Sequence, residues 1–327
     1  MSHPCDPKQS SDNANAILLL RGALAAPSGR EDDPHRRVFL SQVADPALPG
    51  AMPRGAALLE LPGTSSGASD DERRAAIREA VTRFRTERGR DAEFVRLSPS
   101  LVVGVERPAV TSAEPLRDKV ALVTGAGGAI GAGICRGLVE KGARVAATDI
   151  AQANLDGVVA ELAPQAGNRI RGVRMDVTDP DSVAAAFDSV VEMWGGVDII
   201  VVNAGIAMVA PLMEMELAAF RKVQAVNVDG TLLTLAEAGR RLCRQGTGGD
   251  IVLISTKNVF APGAQFGAYS ATKAASHQLA RIASLEFAPY GIRVNMVAPD
   301  AVFGDGAHKS GLLAAVGPSR MRARGLD

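Results

Sequence analysis

Tyr269 and Lys273 are the two residues of this sequence whose types and spacing most clearly suggest chemistry, and they stand four positions apart in AYSATKAA. Residues at that spacing share one face of a helix, about one turn from each other. A lysine ammonium beside a phenol favours the phenolate and lowers the pKa of the tyrosine toward the working pH. The pair therefore predicts a general acid/base. Because Y-x-x-x-K alone is a weak signal, its meaning depends on the residues upstream.

A glycine-rich turn, TGAGGAIG at positions 124–131, joins an apolar segment to an amphipathic one. Glycines let the backbone approach a pyrophosphate, whose charge then meets the free N–H groups at the start of a helix. The spacing departs from the ordinary G-x-G-x-x-G because Ile130 occupies the place of the last glycine. The alternative is a tight turn without a ligand, but the strand before it and the helix after it favour a dinucleotide. The residues expected to hold that dinucleotide are Gly125, Gly127, Gly128, Ala129, Ile130 and Gly131.

Further candidates for cofactor binding stand where the next predicted strands end. Asp149 can accept hydrogen bonds from both hydroxyls of an adenosine ribose and would repel a 2′-phosphate. Neither Gly127 nor Ile150 offers a cation for such a phosphate, so the sequence predicts NAD rather than NADP. The alternative for Asp149 is a solvated loop carboxylate. Asp176 and Val177 are expected beside the adenine amine, with a helix cap as the alternative, and Asn203, Ala204 and Gly205 beside the cofactor ribose.

Short apolar segments alternate with amphipathic ones from position 119 onward. This alternation predicts βαβ units and a doubly wound, Rossmann-like parallel sheet of about six strands. Right-handed crossovers place the loops that follow the strands at one edge of the sheet, where ligands bind. The predicted strands are 119–124, 144–148, 170–175, 197–202, 250–255 and 292–297, and the predicted helices are 130–142, 154–162, 182–194, 216–244 and 267–287.

Residues 1–115 are irregular, with many prolines and glycines in the segment 27–67. We expect disorder over 1–15, a small accessory region with a linker over 16–115, and an NAD-binding domain over 116–327. One helix is well marked, because Ser69 can cap it, acidic residues follow, and Gly89 can end it. The segment 94–105 is expected to form a strand or two. No catalytic set of residues stands in this region.

Composition and charge exclude several classes of protein. The 36 basic and 36 acidic residues give no formal net charge, which does not support a nucleic-acid or membrane-surface partner. No apolar run approaches the ~20 residues that span a bilayer, and the run 16–20 is interrupted by Arg21. Three distant cysteines without a C-x-x-C predict reduced thiols, and four scattered histidines predict no metal site. We therefore expect a cytoplasmic protein.

These motifs, with Asn227 in NVDG and YSATK, follow one another in an order that resembles the short-chain dehydrogenase/reductase family over about 119–303. The resemblance implies that Tyr269 is the general acid/base and that Lys273 lowers its pKa and bonds the nicotinamide ribose. It implies that Asn227 holds a water of a proton relay. It also implies a serine thirteen positions before the tyrosine that orients the substrate oxygen. That position is Thr256, with Ser255 beside it, so Thr256, Ser255 or neither can take the role. The backbone near Pro299 and Val302 is implied in contact with the nicotinamide amide.

A closer resemblance, carried by STKNVFAPGAQFGAYSATKAA and NMVAPDAVF, is to the dehydrogenase half of bifunctional class II aldolase/short-chain dehydrogenases of rhamnose-type sugar breakdown. It implies hydride transfer between NAD and a small alcohol, hydroxyaldehyde or sugar-derived substrate. The zinc site of such an aldolase should be built from histidines. Because residues 1–115 contain only His3 and His35, aldolase activity is not inferred.

The carboxyl-terminal part departs from the family pattern. Only 54 residues follow Lys273, so a seventh strand is expected to be missing, and the substrate lid should begin near Phe303. The alternative function is therefore an inactive fragment or a non-catalytic nucleotide-binding protein. A homodimer is expected through the helices 216–244 and 267–287. His277, four residues after Lys273, is expected to be a satisfied helix histidine rather than a catalytic one.

Overall fold

The computed structural model describes residues 11–43, 52–53, 55–61, 68–108, 114–300 and 302. The amino-terminal part consists of two helices and a small mixed sheet of order β3-β6-β5-β4, next to a two-stranded hairpin formed by β1 and β2. Its elements are α1 (Asp12–Leu24), β1 (Ala26–Pro27), β2 (His35–Arg36), β3 (Phe39–Gln42), β4 (Leu58–Glu60), α2 (Asp70–Arg88), β5 (Phe94–Ser98) and β6 (Leu101–Glu106).

The remainder is a six-stranded parallel sheet of order β12-β11-β10-β7-β8-β9 with helices on both faces. The predicted Rossmann-like fold and its six strands are confirmed. The strands are β7 (Val120–Thr124), β8 (Arg144–Asp149), β9 (Ile170–Arg174), β10 (Ile199–Val202), β11 (Gly249–Ile254) and β12 (Ile292–Val297). The helices are α3 (Ala129–Glu140), α4 (Gln152–Ala166), α5 (Pro180–Trp194), α6 (Leu217–Gln224), α7 (Gly230–Gln245) and α8 (Gly267–Phe287).

The central strands are apolar throughout because both faces of the sheet are covered. Successive residues of β7 point to opposite faces of the sheet: Leu122 packs with α5, α7 and α8, and Val123 packs with α3 and α4. All five residues of this strand are buried. The order of the strands brings the ends of β7, β8, β10 and β11 to one edge, which is where the predicted site residues stand.

The helix predicted over 216–244 is present as one helical run, in which α6, a π-helical turn and α7 follow one another without a gap. The π-helical turn, Ala225–Asp229, contains Asn227. A π-turn adds one residue to a helical turn, which a periodicity of 3.6 residues does not reveal, and such turns are frequent at functional sites.

Disorder was predicted over 1–15, but α1 begins at Asp12 with the Ser11 side chain accepting a hydrogen bond from the Ala14 N–H, so that range is wrong at its carboxyl end.

Cys135 is a free, buried thiol, whereas Cys243 is disulfide-bonded, so the expectation of reduced thiols is wrong at Cys243. In the part of the chain that the structure describes, no helix has the length and hydropathy to span a bilayer.

The end of the chain is described only in part. Among the described residues, β12 is an edge strand that pairs with β11 alone. The predicted start of the lid near Phe303 lies outside the described residues.

Candidate active site

The glycine-rich turn leaves β7 and enters α3 at the carboxyl edge of the sheet. Gly125 has a φ of +65°, and a Cβ there would lie 2.8 Å from the Ala204 Cα. At Gly131 a Cβ would lie 2.3 Å from the Gly125 carbonyl oxygen. Both positions therefore require glycine, one for conformation and close approach and the other for packing of the helix against its own turn.

The start of α3 is suited to an anion. Gly128 is the N-cap of this helix and makes no side-chain capping hydrogen bond. The first N–H groups of a helix lack partners within it and carry a partial positive charge, which favours a phosphate. This uncapped helix start fits the pyrophosphate of a nicotinamide dinucleotide, and Ala129 and Ile130 form its first turn.

Asp149 ends β8 directly beside the glycine-rich turn. Its carboxylate accepts hydrogen bonds from the Gly127 N–H at 3.0 Å and from the Ala151 N–H at 3.0 Å. These bonds aim the carboxylate across the turn, where an adenosine ribose would lie. Ile150 is 55% exposed beside it and brings no cation.

Asp176 lies after β9 and accepts hydrogen bonds from the N–H and the hydroxyl of Thr178 at 2.9 and 2.7 Å. The cap of α5 is Asp179, whose side chain accepts from the Asp181 N–H. The helix-cap alternative therefore belongs to Asp179 and not to Asp176. Val177 is nearly buried beside it and supplies an apolar wall.

Asn203, Ala204 and Gly205 follow β10 and connect the glycine-rich turn to the catalytic candidates. The Asn203 amide donates to the carbonyl oxygens of Thr124 and Gly125 at 2.9 and 3.0 Å. A Cβ on Gly205 would lie 3.2 Å from the Asn227 Oδ1 and 3.2 Å from the Lys273 Nζ. Gly205 thus lies between the two side chains that the sequence predicted to be neighbours of Tyr269.

Helix α8 carries Tyr269 and Lys273 to the end of β11. The Lys273 Nζ is buried and donates to the Ile254 carbonyl oxygen at 2.8 Å. The Thr256 hydroxyl acts to lower the pKa of the Tyr269 phenol, so it lies close to that phenol. Ser255, the other candidate hydroxyl, is paired with the His277 Nδ1 at 3.2 Å instead. Of the two hydroxyls, Thr256 is therefore the one that faces the tyrosine.

Burial is the main cause of the pKa shifts of Tyr269 and Lys273. Burial raises the pKa of the Tyr269 phenol above its usual 10, and the Thr256 hydroxyl acts in the opposite direction. Burial lowers the pKa of Lys273 from its usual 10.5 to about 8. In this structure the Lys273 ammonium donates to the Ile254 carbonyl oxygen, and burial outweighs the effect of Thr256 on the phenol, so the lowering of the Tyr269 pKa by Lys273 stays a prediction.

Asn227 is buried in the π-helical turn and is held from two sides. Its amide oxygen accepts from the Ile206 N–H at 2.8 Å, and its amide nitrogen donates to the Ile206 carbonyl and to the Thr272 hydroxyl, both at 3.0 Å. The Ser276 hydroxyl donates to the Asn227 carbonyl oxygen at 2.5 Å. The side chain therefore fixes the loop after β10 rather than pointing freely into solvent.

Sequence reasoning missed the Thr272 and Ser276 hydroxyls that bond Asn227, and it missed the pairing of His277 with Ser255. Thr272 and Ser276 stand four apart on α8, as do Lys273 and His277, so the helical spacing was a usable signal. The spacing does not indicate that the partners of these residues are Ser255, after β11, and Asn227, in the π-turn.

Pro299 and Val302 lie beyond β12, where the nicotinamide amide was expected. The Pro299 carbonyl oxygen accepts from the Lys257 N–H at 3.0 Å, which ties the loops after β11 and β12 together, and Val302 is 45% exposed. No group of histidine, cysteine and carboxylate side chains in the described ranges could hold a metal ion.

Comparison with known proteins agrees with this geometry. The sequence pattern of the short chain dehydrogenase family matches residues 119–311, more than half of the chain. The chain belongs to the short chain dehydrogenase family. An acid/base tyrosine, a glycine-rich turn and a parallel sheet are general features of that family, whose members are oxidoreductases.

Individual members of the family are similar to this chain in sequence and in structure. Over 187 residues the chain is 42% identical to a cis-4-hydroxycyclohexanecarboxylate dehydrogenase of Sinomonas cyclohexanicum, covering 57% of this chain and 74% of that protein. It is 34% identical over 194 residues to an L-rhamnose 1-dehydrogenase (NAD(P)(+)) of Azotobacter vinelandii, covering 58% of this chain and 75% of that protein. The structure of an NAD+-bound xylitol dehydrogenase superposes with a TM-score of 0.57 at 32% identity, covering 61% of this chain and 76% of that chain. The resemblance to aldolase-linked dehydrogenases stays a prediction.

Proposed function

We propose that this short chain dehydrogenase transfers a hydride between NAD and the carbinol or carbonyl carbon of a small alcohol, hydroxyaldehyde or sugar-derived substrate. The observation that carries the proposal is that Tyr269 and Lys273 of α8 lie beside the end of β11 and Thr256, at the edge of the sheet that also presents the start of α3. Relatives that act on a hydroxy acid and on a sugar support the substrate class.

In the direction of oxidation, the substrate hydroxyl gives its proton to the Tyr269 oxygen as the carbinol carbon loses a hydride. When bound, NAD supplies the nicotinamide ring that accepts this hydride. The Thr256 hydroxyl holds the substrate oxygen beside the phenol and, by donating a hydrogen bond, favours the phenolate against the effect of burial. In the direction of reduction, Tyr269 returns the proton to the new alkoxide oxygen.

Lys273 and Asn227 act on the same centre without taking the substrate proton. The Lys273 ammonium, held by the Ile254 carbonyl, still has donors for the hydroxyls of the nicotinamide ribose. Asn227 holds the backbone of Ile206, which forms one wall of the site directly after Gly205. The water relay implied for Asn227 is part of the proposal.

NAD rather than NADP is proposed because Asp149 would place its carboxylate against a 2′-phosphate. Its two bonds to backbone N–H groups hold that carboxylate beside the glycine-rich turn, which supports this choice of cofactor. The cofactor-binding residues of the proposal are those of the glycine-rich turn, Asp149 with Ile150, Asp176 with Val177, and residues 203–205.

The test is a turnover assay of the full chain with NAD and with NADP. The substrate panel holds cis-4-hydroxycyclohexanecarboxylate, L-rhamnose, xylitol and lactaldehyde, and the appearance of reduced nicotinamide is measured. We expect turnover with NAD on at least one compound and tighter binding of NAD than of NADP. Tyr269→Phe should lower kcat by at least ~100-fold and leave the Kd for NAD unchanged, because the ring still fills its place. Tyr290→Phe, the other tyrosine of the chain, is the matched control and should keep wild-type kcat.

Two results would contradict the proposal. Binding of NAD without turnover on any compound would favour the alternative of a non-catalytic nucleotide-binding protein. Turnover retained in Tyr269→Phe would remove the assignment of the acid/base.

A further inference from the structure

Three successive turns of helix α8 each place one side chain, on the same face of the helix, beside the end of β11. Tyr269 faces the Thr256 hydroxyl, Lys273 donates to the Ile254 carbonyl oxygen at 2.8 Å, and the His277 Nδ1 lies 3.2 Å from the Ser255 Oγ. Three residues of α8 at intervals of four thus contact three consecutive residues, 254–256. The first two turns belong to the proposed chemistry, and nothing so far assigns a role to the third.

The contact between His277 and Ser255 is built into the packing. Ser255 is 3% exposed, and its N–H donates to the Val297 carbonyl oxygen on β12 at 2.8 Å. A buried hydroxyl without a partner costs free energy, and His277 supplies that partner. The Phe260 ring packs against the imidazole in a T-shaped arrangement, with ring centroids 5.3 Å apart and an interplanar angle of 86°.

We infer that His277 is a positioning residue, which through Ser255 fixes the end of β11 and so sets the geometry of Lys273 and Thr256. The inference rests on the proposed function. The Ile254 carbonyl and the Ser255 N–H belong to one planar peptide unit, so a rotation of Ser255 tilts the acceptor that holds the Lys273 ammonium. The same rotation displaces Thr256, the next residue, relative to the Tyr269 phenol.

The consequence is a loss of rate without a loss of binding. The cofactor contacts at the glycine-rich turn and Asp149 are made by other strands, so they do not depend on His277. A displacement of reacting groups by a fraction of an ångström lowers kcat even when the ligand still binds. In this inference His277 exchanges no proton with the substrate and acts on the site only through its bond to Ser255.

The experiment compares variants of the full chain on the substrate found in the turnover assay. His277→Phe keeps a ring against Phe260 and removes the nitrogen, whereas His277→Asn keeps a polar atom at the position of Nδ1. Ser255→Ala removes the hydroxyl, and His277→Phe with Ser255→Ala removes both partners. Gln278→Ala, at an exposed position of the same helix, is the matched control. Thermal unfolding of each variant establishes that it is folded.

We expect kcat to fall about tenfold in His277→Phe and in Ser255→Ala, with the Kd for NAD and the substrate KM changed less than about twofold. The combined variant should be no slower than either single one, because both remove the same bond. His277→Asn should retain at least about half of the wild-type kcat, as should Gln278→Ala.

The inference is overturned if folded His277→Phe keeps the wild-type kcat, if the two losses multiply in the combined variant, or if His277→Asn is as slow as His277→Phe. A wild-type chain that turns over no compound is a different result. It removes the proposed function, and the positioning role falls with it.

Discussion

At the scale of single residues, His277 leaves Thr256 as the hydroxyl that faces Tyr269, because it pairs with the neighbouring Ser255. Counting thirteen positions back from Tyr269 led to Thr256 with Ser255 as a neighbour, and no count could say which hydroxyl turns toward the phenol. The choice between the two hydroxyls depends on His277, whose Nδ1 is hydrogen-bonded to the Ser255 hydroxyl. Likewise, spacing placed Lys273 on the face of Tyr269, but the direction of its ammonium depends on a carbonyl of β11.

Lys273 has a consequence for stability that can be measured. Its pKa in the folded chain, about 8, lies below its ordinary 10.5, so the unfolded chain binds more protons between these values. The stability of the wild type should therefore rise as the pH rises through 8. We expect the free energy of unfolding of the wild type, relative to Lys273→Met, to increase by about 1 kcal/mol between about pH 7 and about pH 9.

Urea unfolding of both proteins at the two pH values measures this difference. Lys222→Met removes an exposed lysine of α6 and is the control, for which the difference from the wild type should not depend on pH. A pH-independent difference for Lys273→Met would show that burial does not depress the pKa of this lysine.

At the scale of elements, short-range patterns were sufficient for most of the dehydrogenase part and insufficient where an element is irregular. The central strands of the parallel sheet, such as β7 and β10, were predictable because both of their faces are buried, which makes them continuously apolar. The helix containing Asn227 was predicted as one piece, since a π-turn leaves no mark on apolar periodicity. In the amino-terminal part, β3 and β4 have four and three residues, too few for a periodic signal.

Helix α3 allows a direct test of the glycine-rich turn. Gly131→Ala would place a Cβ 2.3 Å from the Gly125 carbonyl oxygen and 2.7 Å from the Ala126 Cα, both backbone atoms that cannot turn aside. The turn must open, so we expect a loss of stability of about 2 kcal/mol or more and weaker NAD binding by at least about tenfold.

Gly133→Ala is the matched control on the same helix, because a Cβ there meets nothing within 4 Å. It should stabilise the chain by up to about 1 kcal/mol through helix propensity and leave NAD binding unchanged. Chemical denaturation and calorimetric titration with NAD measure both effects. If Gly131→Ala binds NAD as the wild type does, the turn does not hold the pyrophosphate.

At the scale of the whole molecule, the amino-terminal part packs on the end of the sheet opposite the candidate site. Arg21 interrupts an apolar run in the sequence, yet its side chain is fully buried and pairs with Asp198 at 2.7 Å. Burial acts to raise the pKa of Asp198, but the charges of Arg21 and Arg37 outweigh it, and the pKa is lowered. The Arg144 guanidinium lies 3.6 Å from the Phe39 ring centroid, another contact between the two parts. These partners stand far apart in sequence, so no local pattern could pair them.

This packing leads us to propose that residues 11–108 are a structural part of the dehydrogenase fold rather than an accessory attached to it. Arg21→Met would leave Asp198 buried with Arg37 as its remaining close cation, and removing one partner of a buried pair costs about 3 kcal/mol or more. Arg83→Met, which breaks an exposed pair with Glu79 on α2, should cost about 0.5 kcal/mol or less. Urea unfolding followed by the fluorescence of Trp194, the single tryptophan, measures the stability of the sheet to which Asp198 belongs. Equal effects of the two variants would mean that the sheet does not depend on the amino-terminal part, and the accessory interpretation would then be the better one.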